Sequence, residues 1–168
     1  NETVNTQYES GQGSAANWKF LPAQNAFIWY SEKDDWGHLY LHDLATGKLK
    51  NQITKGNYVV TQVLHVDEEN GVIFFEAKGK EAGRNPYFAH VYSVKFDGSA
   101  LTLLTPEDGN HQVSFSPDKK YFVDNYSQPS VAPVSVLRNT SGKLLATLEK
   151  ADISKLEATG WKPPQQIT

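Results

Sequence analysis

The sequence contains no cysteine and no methionine. The first absence excludes a disulfide framework, a thiol nucleophile and any thiolate metal site. The second leaves Asn at position 1, so a piece of a longer translated product is expected. Basic charge is not in excess either. Lys and Arg number 16 against 19 Asp and Glu, a net charge of −3, which argues against nucleic acid as the main partner. No apolar run approaches the ~18 residues of a membrane-spanning helix. No secretory leader is visible, and a processed chain would have lost one. What remains is 168 residues, the length of one ordinary domain.

The chain is rich in aromatic residues, with 4 Trp, 8 Tyr and 8 Phe, set in short runs beside β-branched neighbours. Phe27-Ile28-Trp29-Tyr30, Val72-Ile73-Phe74-Phe75, Val91-Tyr92-Ser93-Val94 and Tyr121-Phe122-Val123 are examples. Such runs suit a pleated, half-buried surface. Turn residues separate them: Thr46-Gly47, Asn70-Gly71, Asp97-Gly98 and Ser141-Gly142. Asn-Gly and Asp-Gly supply the positive φ values that tight hairpins need. The pattern predicts an all-β, antiparallel chain. One short helix is expected over 152–159, with Asp152 as its N-cap and Ile153 and Leu156 spaced i, i+3. Trp161-Lys162-Pro163-Pro164 breaks it, and 161–168 reads as a linker leaving the domain.

The runs repeat. Before the turn glycines Gly47, Gly98 and Gly142 lie His38-Leu-Tyr, His90-Val-Tyr and Val134-Ser-Val, with His38 and Tyr40 falling 52 residues before His90 and Tyr92. In phase with these, Phe20, Val66 and Phe115 each precede Ile28, Phe74 and Val123 by eight residues. Four strands over ~45–50 residues is the period of a propeller blade. The predicted fold is therefore a partial β-propeller of about three four-stranded antiparallel blades, near 17–54, 58–105 and 111–147. The first strand of each would line a central channel. Residues 1–10 read as a stray outer strand of an earlier blade. Since propellers close with about 4–8 blades, the chain is expected to be a fragment, to pair with a second copy, or to pack as a compact sandwich. Exposed end faces would favour self-association.

Ser31-Glu-Lys-Asp-Asp-Trp-Gly-His-Leu-Tyr, followed by Ile53-Thr-Lys-Gly-Asn-Tyr-Val-Val, resembles the N-terminal propeller of the dipeptidyl peptidase IV family, which belongs to the prolyl-oligopeptidase class of serine peptidases. Asp35 stands where glycine is usual, and Tyr58 where tryptophan is. Phe74-Phe-Glu-Ala-Lys-Gly, His90-Val-Tyr-Ser-Val-Lys-Phe-Asp-Gly and Phe115-Ser-Pro-Asp-Lys-Lys-Tyr continue the likeness in order, so that it covers about Phe20 to Trp161. The resemblance implies a parent that removes N-terminal dipeptides, often after proline. It also implies that a following α/β-hydrolase domain carries the Ser-Asp-His triad, that the present piece is non-catalytic, and that the remaining blades and the hydrolase domain are its partners. It places the parent outside the cytoplasm: periplasmic, secreted or membrane-tethered. The glutamate pair that holds the substrate's amino terminus in the family has no counterpart here. Two other classes stay open: a protein- or glycan-binding blade-repeat module, and the propeller of an acylaminoacyl or prolyl oligopeptidase.

Direct signals of chemistry are few. The nucleophile elbow Gly-x-Ser-x-Gly is absent from the sequence, and no catalytic, cofactor-binding or metal-ligating residue is assigned. His38 and His42 have the i, i+4 spacing of a helical zinc pair, but Leu39-Tyr40-Leu41 makes them strand residues ~13 Å apart at ~3.3 Å per residue. Gly11-Gln-Gly-Ser-Ala-Ala imitates a dinucleotide fingerprint without the following helix, so a loop is expected. Asp67-Glu68-Glu69-Asn70-Gly71 lacks calcium-loop spacing and reads as a hairpin tip. Asn139-Thr140-Ser141 is a sequon placed in a recurring hairpin turn. Trp29, Trp36 and Tyr40 read as packing residues. The longest polar insertion is Lys78–Pro86, and Arg84 within it is the one cation marked as a possible contact to a carboxylate or a partner.

Overall fold

A computed structural model describes residues 18–164. The strand expected over 1–10, the loop Gly11–Ala16 and the last four residues of the expected linker lie outside these. The described chain is a succession of four-strand meanders. The first runs β1 (Lys19–Leu21), β2 (Ala26–Ser31), β3 (His38–Asp43) and β4 (Leu49–Gln52). The second runs β5 (Val59–Asp67), β6 (Val72–Lys78), β7 (Ala89–Lys95) and β8 (Thr102–Leu103). The third runs β9 (Asn110–Phe115), β10 (Tyr121–Gln128), β11 (Val131–Asn139) and β12 (Leu144–Lys150). In each sheet the spatial order follows the chain order, so every connection within a sheet is a hairpin.

The repeat seen in the sequence becomes a repeat of register. Phe20 pairs with Phe27, Val66 with Ile73 and Phe115 with Phe122, each seven residues on. The hairpin after each of these pairs turns through a left-handed residue, Asn25, Gly71 or Lys119. The hairpin after the third strand turns through Gly47, Gly98 or Gly142, with φ of +69°, +83° and +82°. The three glycine N–H groups donate to Asp43 O, Lys95 O and Asn139 O at 2.9 Å in each case. Neighbouring hairpins are then joined by Leu44 N–H to Asn25 O, Phe96 N–H to Gly71 O and Thr140 N–H to Lys120 O.

The chain forms two compact units. One holds the first sheet and most of the second, through Tyr87 and Val91–Leu103. Its core is Leu21, Ala26, Ile28 and Leu39 of the first sheet against Val60, Ile73, Phe75, Ala77 and Val94 of the second. Full burial of each larger side chain contributes ~1.5–3 kcal/mol. Alternation explains the choice. Ala26, Ile28 and Leu41 share one face of the first sheet, while Phe20, Phe27, Trp29 and His42 share the other. That second face leaves Trp18, Phe20 and Trp29 exposed. Trp36 is exposed as well, so the packing role expected of Trp29, Trp36 and Tyr40 holds only for Tyr40, which is 1% exposed.

The other unit holds Phe88–His90 and the described chain from Leu104 onward. Its strand β12 is exposed along its whole length. The helix expected over 152–159 is confined to α1 (Ser154–Glu157). Asp152 Oδ1 accepts the Ser154 N–H at 2.9 Å, but the first helical turn starts after Ile153. No residue of α1 is buried, so no apolar face extends it.

His38 and His90 have equivalent jobs. Each ring, on the third strand of its sheet, holds the crossover that leaves that sheet. His38 Nε2–H donates to Gly56 O at 2.9 Å, because a carbonyl only accepts; Nδ1 therefore accepts from the Thr54 hydroxyl at 3.1 Å. Thr54 Oγ1 in turn accepts the Leu39 N–H at 2.9 Å. His90 Nδ1–H donates to Thr105 O at 3.1 Å. Burial holds the His38 pKa below its ordinary 6.5, although the Gly56 carbonyl and the Asp34 charge pull the other way. The unfolded chain therefore takes up a proton near pH 6.5 that the native ring resists. Stability from this group is complete above that pH and falls as pH drops through the native value. Urea denaturation across pH 5–8 should show this loss, and H38Q should flatten it.

Candidate functional site

Three features stand out among the described residues. The first is a repeated clamp. In the loop between β2 and β3, the Asp34 carboxylate accepts the Tyr40 hydroxyl at 2.8 Å, and the Lys33 ammonium lies 3.7 Å from the centre of the Tyr40 ring. In the longer loop between β6 and β7, Glu81 accepts the Tyr92 hydroxyl at 2.9 Å, and Lys80 lies 5.9 Å from the Tyr92 ring centre and 5.4 Å from that of Tyr58. A lysine–acid pair thus meets the repeated tyrosine in both sheets. Cation–π attraction and a charge-accepted hydroxyl act together. Burial pushes the Tyr92 hydroxyl well above its usual range, and the hydrogen bond and charge of Glu81 push it further. Tyr92 accordingly stays protonated and donating.

Arg84 lies in the same loop, and its N–H donates to Glu81 O at 3.3 Å. Its charge partly offsets the effect of Glu81 on Tyr92. The loop's outermost aromatic residue is Tyr87, 81% exposed. Val136 takes the tyrosine position in the third sheet, where no hydroxyl is available for such a clamp.

The second feature is a buried charge network in the unit of the third sheet. Asp124 on β10 is fully buried and uses both carboxylate oxygens: Oδ1 faces His111 Nδ1 at 2.8 Å, and Oδ2 accepts Arg138 Nε–H at 3.0 Å. His111 Nε2–H donates to Glu107 O at 2.9 Å. A proton must therefore sit between Nδ1 and Oδ1. Arg138 also donates to the Glu107 carboxylate and, at 3.2 Å, to Gly142 O. Burial draws the Arg138 guanidinium down, and Glu107 and Asp124 more than reverse this, leaving its pKa raised. The network ties β9, β10, β11, the segment before β9 and the Gly142 turn together.

The third feature is a pocket of about 210 Å³ between the β10–β11 hairpin and the segment after β12. Ser127, Pro129, Val131 and Pro133 face Ile153, Trp161 and Pro163 across it. It is a largely apolar cleft beside the path of the departing chain.

The histidine pair His38 and His42 is on β3, as expected of strand residues, and each ring has separate hydrogen bonds: His42 Nδ1–H donates to Gly47 O at 2.9 Å. Glu68 and Glu69 are in the β5–β6 hairpin, where Glu68 accepts the Ala23 N–H at 3.1 Å. Asn139 Oδ1 caps its own turn, accepting from Ser141 N–H, Ser141 Oγ–H and Lys143 N–H. The charge network was not anticipated. Its available signal is that Asp124 and Arg138 occupy strand positions otherwise suited to apolar residues.

Sequential four-stranded antiparallel meanders with this register define the β-propeller class. Residues 2–133 match the dipeptidyl peptidase IV (DPP IV) N-terminal region, and the chain belongs to that family. A dipeptidyl peptidase 4 of Arthroderma otae is 32% identical over 107 residues, covering 62% of this chain and 13% of that protein. One of Trichophyton equinum is 29% identical over 143 residues, covering 83% and 18%. The crystal structure of Porphyromonas gingivalis dipeptidyl peptidase 4 superposes with a TM-score of 0.64 at 30% identity, over 80% of this chain and 18% of that one. A putative dipeptidyl aminopeptidase IV from Bacteroides ovatus gives 0.64 at 25% identity, over 80% and 21%. The chain thus spans about a fifth or less of the length of these relatives.

Proposed function

We propose that this chain is a non-catalytic propeller segment of a dipeptidyl peptidase IV-like serine exopeptidase that acts outside the cytoplasm. The carrying observation is the match of residues 2–133 to the N-terminal region of a family whose relatives are several times longer. In this reading the sheets wall the chamber through which short, flexible peptides reach an α/β-hydrolase domain, and the first strands of the sheets line it. The pocket beside Trp161 and Pro163, where the described chain departs, suits support of that domain. Arg84 and Tyr87, in a loop braced by the Tyr92 clamp, suit contact with a partner or a substrate carboxylate.

The test compares this chain with the full-length gene product on an Xaa-Pro chromogenic dipeptide substrate. The longer protein should release the dipeptide and the 168-residue chain should not. Release by the isolated chain, or none by the longer protein, would remove the reading. Light scattering of the isolated chain should also reveal self-association, since Leu144, Leu145 and Leu148 of β12 are all exposed. A monodisperse monomer at high concentration would count against it.

A further inference from the structure

We propose that Asn70-Gly71, in the β5–β6 hairpin, is a built-in site of spontaneous deamidation, at which the chain ages from amide to carboxylate. The chemistry needs an accessible asparagine amide and a following backbone nitrogen that is free to attack it. Asn is the thermally labile side chain, and glycine after it offers no side-chain obstruction. Asn70 is exposed. Among the described residues the Gly71 N–H makes no hydrogen bond, whereas the N–H groups of the corresponding turn glycines Gly47, Gly98 and Gly142 are all taken by carbonyls at 2.9 Å.

The contrast with Asp97-Gly98, the other acid- or amide-glycine pair on a hairpin of the same sheet, sharpens the assignment. There the attacking nitrogen is tied to Lys95 O, and Asp97 Oδ1 accepts the Ser99 N–H at 2.9 Å. Among the described residues the Asn70 side-chain amide is held by its Nδ2–H bond to Asp67 Oδ2 at 2.8 Å, and the Asn70 backbone N–H donates to Asp67 Oδ1 at 3.0 Å.

The step balances without a co-reactant other than water. The Gly71 nitrogen attacks Asn70 Cγ and gives up its proton; the Cγ–Nδ2 bond breaks; ammonia leaves. Water then opens the cyclic imide at one of its two carbonyls. One product is aspartate and the other is isoaspartate, whose extra backbone methylene falls next to Gly71, the residue whose carbonyl accepts the Phe96 N–H at 2.9 Å. Both products place a new carboxylate beside Asp67, Glu68 and Glu69. The modification therefore strikes the link between the two hairpins of the second sheet.

The native chain, incubated at mildly alkaline pH and analysed by peptide mapping with isoaspartyl methyltransferase labelling, should gain aspartate and isoaspartate at position 70. Asp97 should stay unmodified. N70Q should lose the signal, and D67A, which releases the amide, should accelerate it. An amide that persists at Asn70 while the same sequence deamidates as a free peptide would overturn the proposal, as would isoaspartate arising first at Asp97.

Discussion

Replacing Arg138 by alanine is expected to destabilise the chain by ~3–5 kcal/mol, the usual cost of breaking a buried ion pair by removing one partner. The reason lies in what remains. Asp124, whose side chain is 0% exposed, would keep its contact to His111 but lose the guanidinium from its other oxygen. Glu107 and Gly142 O would lose donors at the same time. The size of the effect measures buried polar groups left without their partner rather than the net worth of the network. For the same reason R138A and D124A should be far from additive, the double variant being less damaged than the sum of the two. Urea denaturation of the four proteins of this cycle supplies the numbers. A loss under ~1 kcal/mol for R138A, the range of an exposed pair, would show that the network is solvated and the account of it wrong.

G98A and G142A should each cost more than G47A, although all three glycines have similar positive φ. The backbone conformation alone penalises alanine by ~1–2 kcal/mol in the left-handed region. At Gly47 nothing lies within 4 Å of the added methyl. At Gly98 it would sit 3.0 Å from Ile53 O, and at Gly142 3.0 Å from Leu104 O and Cα. These are crossover backbone atoms, which cannot rotate away as a side chain can. Overpacking of this kind adds ~1–3 kcal/mol. The turn of one sheet thus rests on the crossover that enters it, twice in the same way. Equal thermal stability of the three variants would show that the close approach relaxes at no cost.

How much of this was legible in the sequence depended on range. The meanders were readable because each hairpin carries its own chemistry: alternating aromatic and β-branched residues, then Gly47, Gly98 or Gly142 at the turn. The His38/His90 repeat was visible as a spacing and fell into place as a hold on each crossover. The helix was overextended because Asp152 and Leu156 supply local helix signals, while its length is decided by burial, and Leu156 remains exposed. The clamps were half visible. Tyr40 and Tyr92 recur in register, but the loop lengths before them differ, so Lys33-Asp34 and Lys80-Glu81 do not align by counting. The Glu107–His111–Asp124–Arg138 network was legible only as Asp124 and Arg138 at strand positions suited to apolar residues. Its members come from four segments, with the acid and the guanidinium it meets 31 positions apart, so local patterns do not bring them together. Arg84 is legible in the sequence as a loop cation, and the structure adds the Tyr92–Glu81 bond that braces its loop.

The central claim, that this is the propeller piece of a larger serine exopeptidase, is tested most directly by reading the coding sequence for the few hundred residues after Thr168. The account predicts an α/β-hydrolase domain there, with a Gly-x-Ser-x-Gly elbow followed in order by the triad aspartate and histidine. A stop codon at that point, or an unrelated domain, would contradict it.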